Sequence, residues 1–196
     1  MKSLKLFLFF AAVVFASFVR AGDTAAPAAG AYDPVARGKY LVNTSGCHDC
    51  HTPFKMTDKG PAPDMERALS GHPEQFVMPP APAPTGPWLV SIAATNTAFA
   101  GPWGVSFTAN LTPDKETGLG KWTAQTFTET IRTGRHLGRG RQILPPMPIP
   151  VYRNFTDEDL AAVFAYLQSI PAVKNKVPAP RPPVPATAAV VPQPGS

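Results

Sequence analysis

Five consecutive residues constrain this chain more than any other feature: Cys47-His48-Asp49-Cys50-His51. They hold both of its cysteines, and a single pair three apart is too little for a disulfide framework in a protein of this size. In a helix, residues i and i+3 stand about one turn apart on one face. Two thiols so placed can form thioethers with the two vinyl groups of one porphyrin, and the next residue then sets its imidazole under the iron. Cys47 and Cys50 are therefore candidate covalent links and His51 the candidate proximal ligand, with His48 filling a variable position. A thioredoxin-like dithiol would use the same spacing but needs a preceding strand and a βαβ context. Here a helical pattern precedes the motif and no parallel-sheet pattern follows. A zinc site would need two more ligands, for which only His72 and His136 remain. One covalent haem c is the favoured cofactor.

The rest of the 196 residues must supply the surroundings for that group. With 25 prolines and 15 glycines, the size suits one domain flanked by irregular segments. Residues 1–21 carry Lys2 and Lys5, then an apolar run from Leu6 to Val19, and end Val19-Arg20-Ala21. That is the pattern of an export signal, cleaved near Gly22 and placing the mature protein in the periplasm, with retention as an N-terminal anchor as the alternative. No cysteine follows the cleavage point to take a lipid, and no later stretch reaches the roughly 20 apolar residues of a transmembrane helix. The formal net charge of +5 comes partly from Lys2, Lys5 and Arg20; the remainder is nearly balanced, which argues against a nucleic-acid partner.

Residues 22–32 read as a flexible linker, 33–172 as the folded domain with an insertion at 53–107, and 173–196 as a proline-rich tail, expected to be extended or disordered. Three helices are predicted inside the domain. Pro34 suits a first turn with Asp33 as N-cap, and Val35, Leu41 and Val42 fall near one face. Thr123 caps a second helix carrying Phe127 and Ile131 and stopped at Gly134. Thr156 caps a third, with Asp157, Glu158 and Asp159 at the positive end of its dipole and a stripe of Leu160, Val163, Phe164 and Leu167. Phe99 to Gly104 reads as a tight turn carrying a buried ring, and short extended pieces are expected around Leu89 to Ala93. The fold class expected is mainly α, helices and long Pro/Gly-rich loops wrapped around one haem.

Arg37-Gly38-Lys39-Tyr40, the stretch Asn110 to Gly118, the Pro145-Pro146-Met147-Pro148 loop and the Phe155 to Ile170 helix, together with the cysteine motif, resemble a bacterial periplasmic c-type cytochrome. The C-terminal half is similar to haem domains of cytochrome subunits that serve alcohol and aldehyde dehydrogenases. Those subunits carry several such motifs, whereas this chain has one, so the resemblance covers the single domain 33–172. It implies a methionine as sixth ligand in the proline loop before the last helix. Met147 fits; Met78 in Val77-Met78-Pro79-Pro80 is its rival, Met56 and Met65 read as packing residues, and His72, His136 or an open sixth position are the further alternatives. With both axial positions filled, iron offers no open site to a substrate. The resemblance thus implies an electron-transfer protein with a dehydrogenase donor and an oxidase or cytochrome acceptor, not an enzyme. The alternatives are a haem enzyme with a labile sixth ligand, such as a peroxidase or a sulfur-oxidising component, or a fixed cytochrome subunit of a dehydrogenase complex.

The same resemblance implies a crossed helix pair in which Gly38 and Tyr40 meet Phe164, Tyr166 and Leu167. Trp88, Trp103 and Trp122 are expected in the core or against the haem. Arg132, Arg135, His136, Arg139 and Arg141 crowd ten positions without an acid, and three uses compete: a propionate partner, steering of an acidic redox partner, or a solvated loop. Arg67 and His72 are expected to line the haem crevice.

Overall fold

The computed structural model describes residues 31–81 and 87–183. The expected export signal, nearly all of the 22–32 linker and residues 184–196 of the tail lie outside them.

Helix α1 (Pro34–Thr44) begins as its sequence dictates: the Asp33 carboxylate accepts from the amides of Val35 and Ala36 at 2.9 and 3.2 Å. Gly38, Leu41 and Val42 are its buried positions, while Val35 stays exposed. Helix α2 (Cys47–His51) follows after a two-residue break. Helix α3 (Ala124–Thr133) starts where the Thr123 hydroxyl accepts from the Thr126 amide at 3.1 Å and ends at Gly134, φ 66°. After the short α4 (Ile149–Tyr152), helix α5 (Asp157–Ser169) is capped by Thr156, and Leu160, Val163, Phe164 and Leu167 are all buried.

The α1–α5 crossing depends on one missing side chain. A Cβ at Gly38 would stand 1.9 Å from the Ala162 carbonyl oxygen and 2.8 Å from the Tyr166 Cβ, so the two backbones meet where only glycine fits. Tyr40 does not take the place expected of it at this crossing: it is 58% exposed, with the Arg37 guanidinium 5.6 Å from its ring. Helix α3 joins through Phe127, whose ring centroid lies 5.6 Å from that of Phe164.

The expected mainly helical class gives way to a mixed one: five helices and two small antiparallel sheets among the described residues. Strands β1 (Phe54–Thr57) and β2 (Gly60–Pro63) form a hairpin. Strands β3 (Ser91–Ile92), β4 (Ala98–Gly101) and β5 (Gly104–Phe107) form a sheet in chain order. The turn read at Phe99 to Gly104 is the β4–β5 connection, with Gly101 paired to Gly104 and Phe99 buried. Ala98, Val105 and Phe107 make a second small core, joined by Met78 and Val177. Trp88 is 75% exposed, against expectation. No helix among the described residues is long and apolar enough to cross a membrane.

Of the tail read as extended or disordered, residues 173–183 are without helix and are hydrogen-bonded to the domain. Residues 173–183 run back across the molecule. The Val173 amide donates to Thr112 Oγ1 at 3.0 Å, and Arg181 exchanges two backbone hydrogen bonds with Val105 of β5, each 2.9 Å. Proline removes donors but not acceptors, so such a segment can still pack through its carbonyls and its few polar side chains.

Candidate haem site

A cavity of about 780 Å³ is walled by parts of all five helices, β5 and the 143–148 loop, inside the roughly 300–1,000 Å³ of small-molecule and cofactor sites. Leu41, Phe107, Trp122, Ile131 and Leu160 contribute apolar surface. Cys47, Cys50, His51 and Met147 all line this cavity. Met56 and Met65 are exposed and Met78 packs on the second small core, so Met147 is the one methionine of the described residues that reaches the cavity.

The fold fixes these groups individually. The Tyr152 hydroxyl donates to the Ser45 carbonyl at 2.5 Å, tying α4 to the joint between α1 and α2. His51 is buried, and its Nδ1 lies 2.7 Å from the Ala109 carbonyl oxygen. A carbonyl only accepts, so Nδ1 carries the proton and Nε2 keeps its lone pair. Burial pushes this imidazole below its ordinary pKa, and the Ala109 carbonyl partly offsets that. The neutral, metal-binding form is therefore the resting one. Burial pushes the Cys47 thiol up to about 11, and burial with Asp49 also raises Cys50. Thiols held protonated make poor dithiol redox catalysts, which depend on a thiolate. No group of three or more His, Cys, Asp or Glu among the described residues could hold a metal ion, which counts against zinc.

These surroundings fit haem c. Two thiols sit one turn apart on a cofactor-sized apolar cavity, with an imidazole nitrogen lone pair and a soft thioether sulfur among the donors that line it. Thr108 also lines the cavity, and its buried hydroxyl has no hydrogen-bond partner.

Other expected residues divide. Arg132 is structural, donating to the Arg153 and Phe155 carbonyls and to Asp157, an acid distant in sequence. Arg135 donates to the Gly140 carbonyl at 3.1 Å. Only His136 and Arg141 of that cluster reach the cavity, His136 edge-on to Trp122 with ring centroids 5.5 Å apart. Arg67 and His72 do not line it. His72 is fully buried, bonded to Thr97 Oγ1 and the Phe76 carbonyl, each at 2.9 Å, and Arg67 donates to Asn175. Sequence reasoning missed Ala109, which acts through its backbone and leaves no side-chain signal, and residues 176–180, which line the cavity from the supposed tail.

The sequence model of the cytochrome c family matches residues 35–171. Among curated proteins, the fructose dehydrogenase cytochrome subunit of Gluconobacter japonicus is 28% identical over 169 residues, 83% of this chain and 28% of that protein. The cytochrome c subunit of the quinone-dependent alcohol dehydrogenase of Gluconobacter oxydans is 27% identical over 147 residues, 74% of this chain and 23% of that one. The gluconate 2-dehydrogenase cytochrome c subunit of Pantoea cypripedii is 30% identical over 132 residues, 67% and 22% of the two chains. The chain thus spans less than a third of each of these relatives. A match over most of the folded domain, with Cys47, Cys50 and His51 standing as the attachment motif for covalent haem c, makes this chain a member of the cytochrome c family.

Proposed function

We propose that this chain is a periplasmic carrier of single electrons, not an enzyme, with Cys47 and Cys50 as thioether links and His51 and Met147 as axial ligands of one haem c. The observation that carries the reading is that all four side chains line one cavity. When bound, the haem supplies a ferric/ferrous couple, which a thioether ligand biases toward the ferrous state. The Ala109 carbonyl fixes the His51 ring and strengthens it as a donor. The apolar wall keeps water from the site and lowers the local dielectric. Of the exposed charged residues that line the cavity, Arg141 and Lys176 outnumber Glu116, which supports steering of an acidic partner surface to its mouth.

The donor in this reading is a dehydrogenase and the acceptor a respiratory oxidase or second cytochrome. A second reading, a fixed subunit of a dehydrogenase complex, is favoured by relatives that are themselves dehydrogenase cytochrome subunits. Co-purification that survives high salt separates the fixed subunit from the shuttle. The ligand assignment is tested by spectra of the purified holoprotein. A near-infrared sulfur-to-iron charge-transfer band is expected, lost in Met147→Ala, with cyanide binding only to the variant. Rapid cyanide or peroxide binding to the wild type would instead indicate a haem enzyme.

A further inference from the structure

Residues 173–183 lie wholly beyond the stretch that matches the family, yet they hold a buried side chain with four hydrogen bonds. Asn175 is 0% exposed. Its Nδ2 donates to the Ser70 and His72 carbonyls at 2.7 and 2.9 Å, and its Oδ1 accepts from the Glu74 amide at 2.9 Å and from Arg67 at 3.2 Å. Two donors and two acceptor sites are all that an amide side chain offers.

The two carbonyls it grips flank Gly71. The Gly71 amide donates to the His51 carbonyl at 2.8 Å, and a Cβ on Gly71, φ 77°, would stand 2.4 Å from the Thr108 oxygen and 2.6 Å from that of Ala109. Ala109 is the residue whose carbonyl orients the His51 ring. Next to it, Asn110 Nδ2 donates to the Val173 carbonyl at 2.8 Å, and the Asn175 amide donates to Thr117 Oγ1 at 3.0 Å. Both supports of the proximal histidine, its own carbonyl and its ring acceptor, are therefore clamped by one strap. The strap then continues along the cavity wall through residues 176–180 and is pinned at its far end by Arg181 on β5.

We infer that residues 173–183 are a strap that sets the orientation of the proximal histidine and closes one side of the haem cavity, with Asn175 as its positioning residue. The inference rests on the assignment of His51 as haem ligand. Asn175 touches no reacting atom and acts through Ser70 to His72 and Ala109 to Asn110.

The experiment compares four full-length or near full-length holoproteins: wild type, Asn175→Ala, a stop after Pro183 and a stop after Ala172. The readouts are reduction potential, cyanide association rate and amide exchange at Gly71 and Leu111. In Asn175→Ala two carbonyls and two donors lose a buried partner, so exchange at these amides and cyanide association should each rise about tenfold, with a lower potential in a protein that still carries haem. The stop after Pro183 should behave as wild type. A simple loss of stability would lower the unfolding midpoint without moving the potential of the folded protein. Asn175→Ala retaining wild-type potential and cyanide kinetics overturns the strap, whether or not the stop after Ala172 folds. A wild type without covalent haem overturns both the strap and the assignment beneath it.

Discussion

The helix pair α1–α5 and the wall made of β5 and the 173–183 segment both line the cavity but are held by different kinds of interaction. At the crossing, backbone meets backbone at Gly38 and Ala162, backed by Leu41, Val42, Leu160, Val163 and Leu167. The wall has a core of only three buried side chains, Ala98, Val105 and Phe107. It is otherwise joined by directed polar bonds, above all those of Asn175. Shape complementarity tolerates no added volume, whereas a hydrogen-bonded wall tolerates little loss of a partner. Substitutions should therefore fail in opposite ways on the two sides.

The largest effect is expected from Gly38→Val, whose side chain must displace the Ala162 carbonyl. A cost of about 3 kcal/mol or more is expected, read as loss of haem-bearing folded protein and a lowered thermal midpoint. An unchanged midpoint would mean that the crossing is not close-packed. Phe107→Ala removes the main ring of the wall and should cost about 3 kcal/mol while leaving the helix crossing in place. Amide exchange should then speed up at Val105, bonded to the Arg181 carbonyl, while Ser45, bonded to the Leu41 carbonyl, keeps its protection. Equal acceleration at both amides would erase the distinction between the two sides.

The smallest effect lies on the outer face of the helix pair. Arg37 donates to both carboxylate oxygens of Asp159, at 2.8 and 3.2 Å, and holds that carboxyl below its usual range. Because the folded value is the lower one, the pair contributes fully above the unfolded pKa and loses its contribution as pH falls through the folded one. The pair is partly exposed, so Asp159→Asn should cost under about 1 kcal/mol near neutrality. The gap to wild type should narrow as pH drops below about 4. A pH-independent gap in urea midpoints would exclude this ion pair as its source.

The two sides also differ in how far they could be read from sequence. Helices α1, α3 and α5 announce themselves locally: Asp33, Thr123 and Thr156 cap them, Gly134 ends one, and Leu160 to Leu167 repeat at helical spacing. The attachment motif is local too. The wall depends on partners far apart in the chain. Strand β2 contains Pro61 and Pro63 and is tolerated because β1–β2 is a two-stranded ribbon whose outer side needs no donors. Asn175 sits in a stretch whose composition suggests a solvated tail, yet its partners Ser70 and His72 lie more than 100 residues earlier. Composition reports what a segment can do alone, and this one is ordered only by contacts it finds elsewhere. Trp88 shows the converse error: a large ring predicted inside on hydrophobicity alone lies outside, covered by none of the described residues.

The pairing of Arg181 with Val105 has a further consequence for the sheet. Backbone groups alternate sides along an extended segment, so with Arg181 bonded inward, positions 180 and 182 face outward. Both are proline, and neither can offer an N–H. The added segment thus occupies the free rim of β5 and presents an edge without donors at positions 180 and 182, so growth of the sheet by another chain is blocked on that flank.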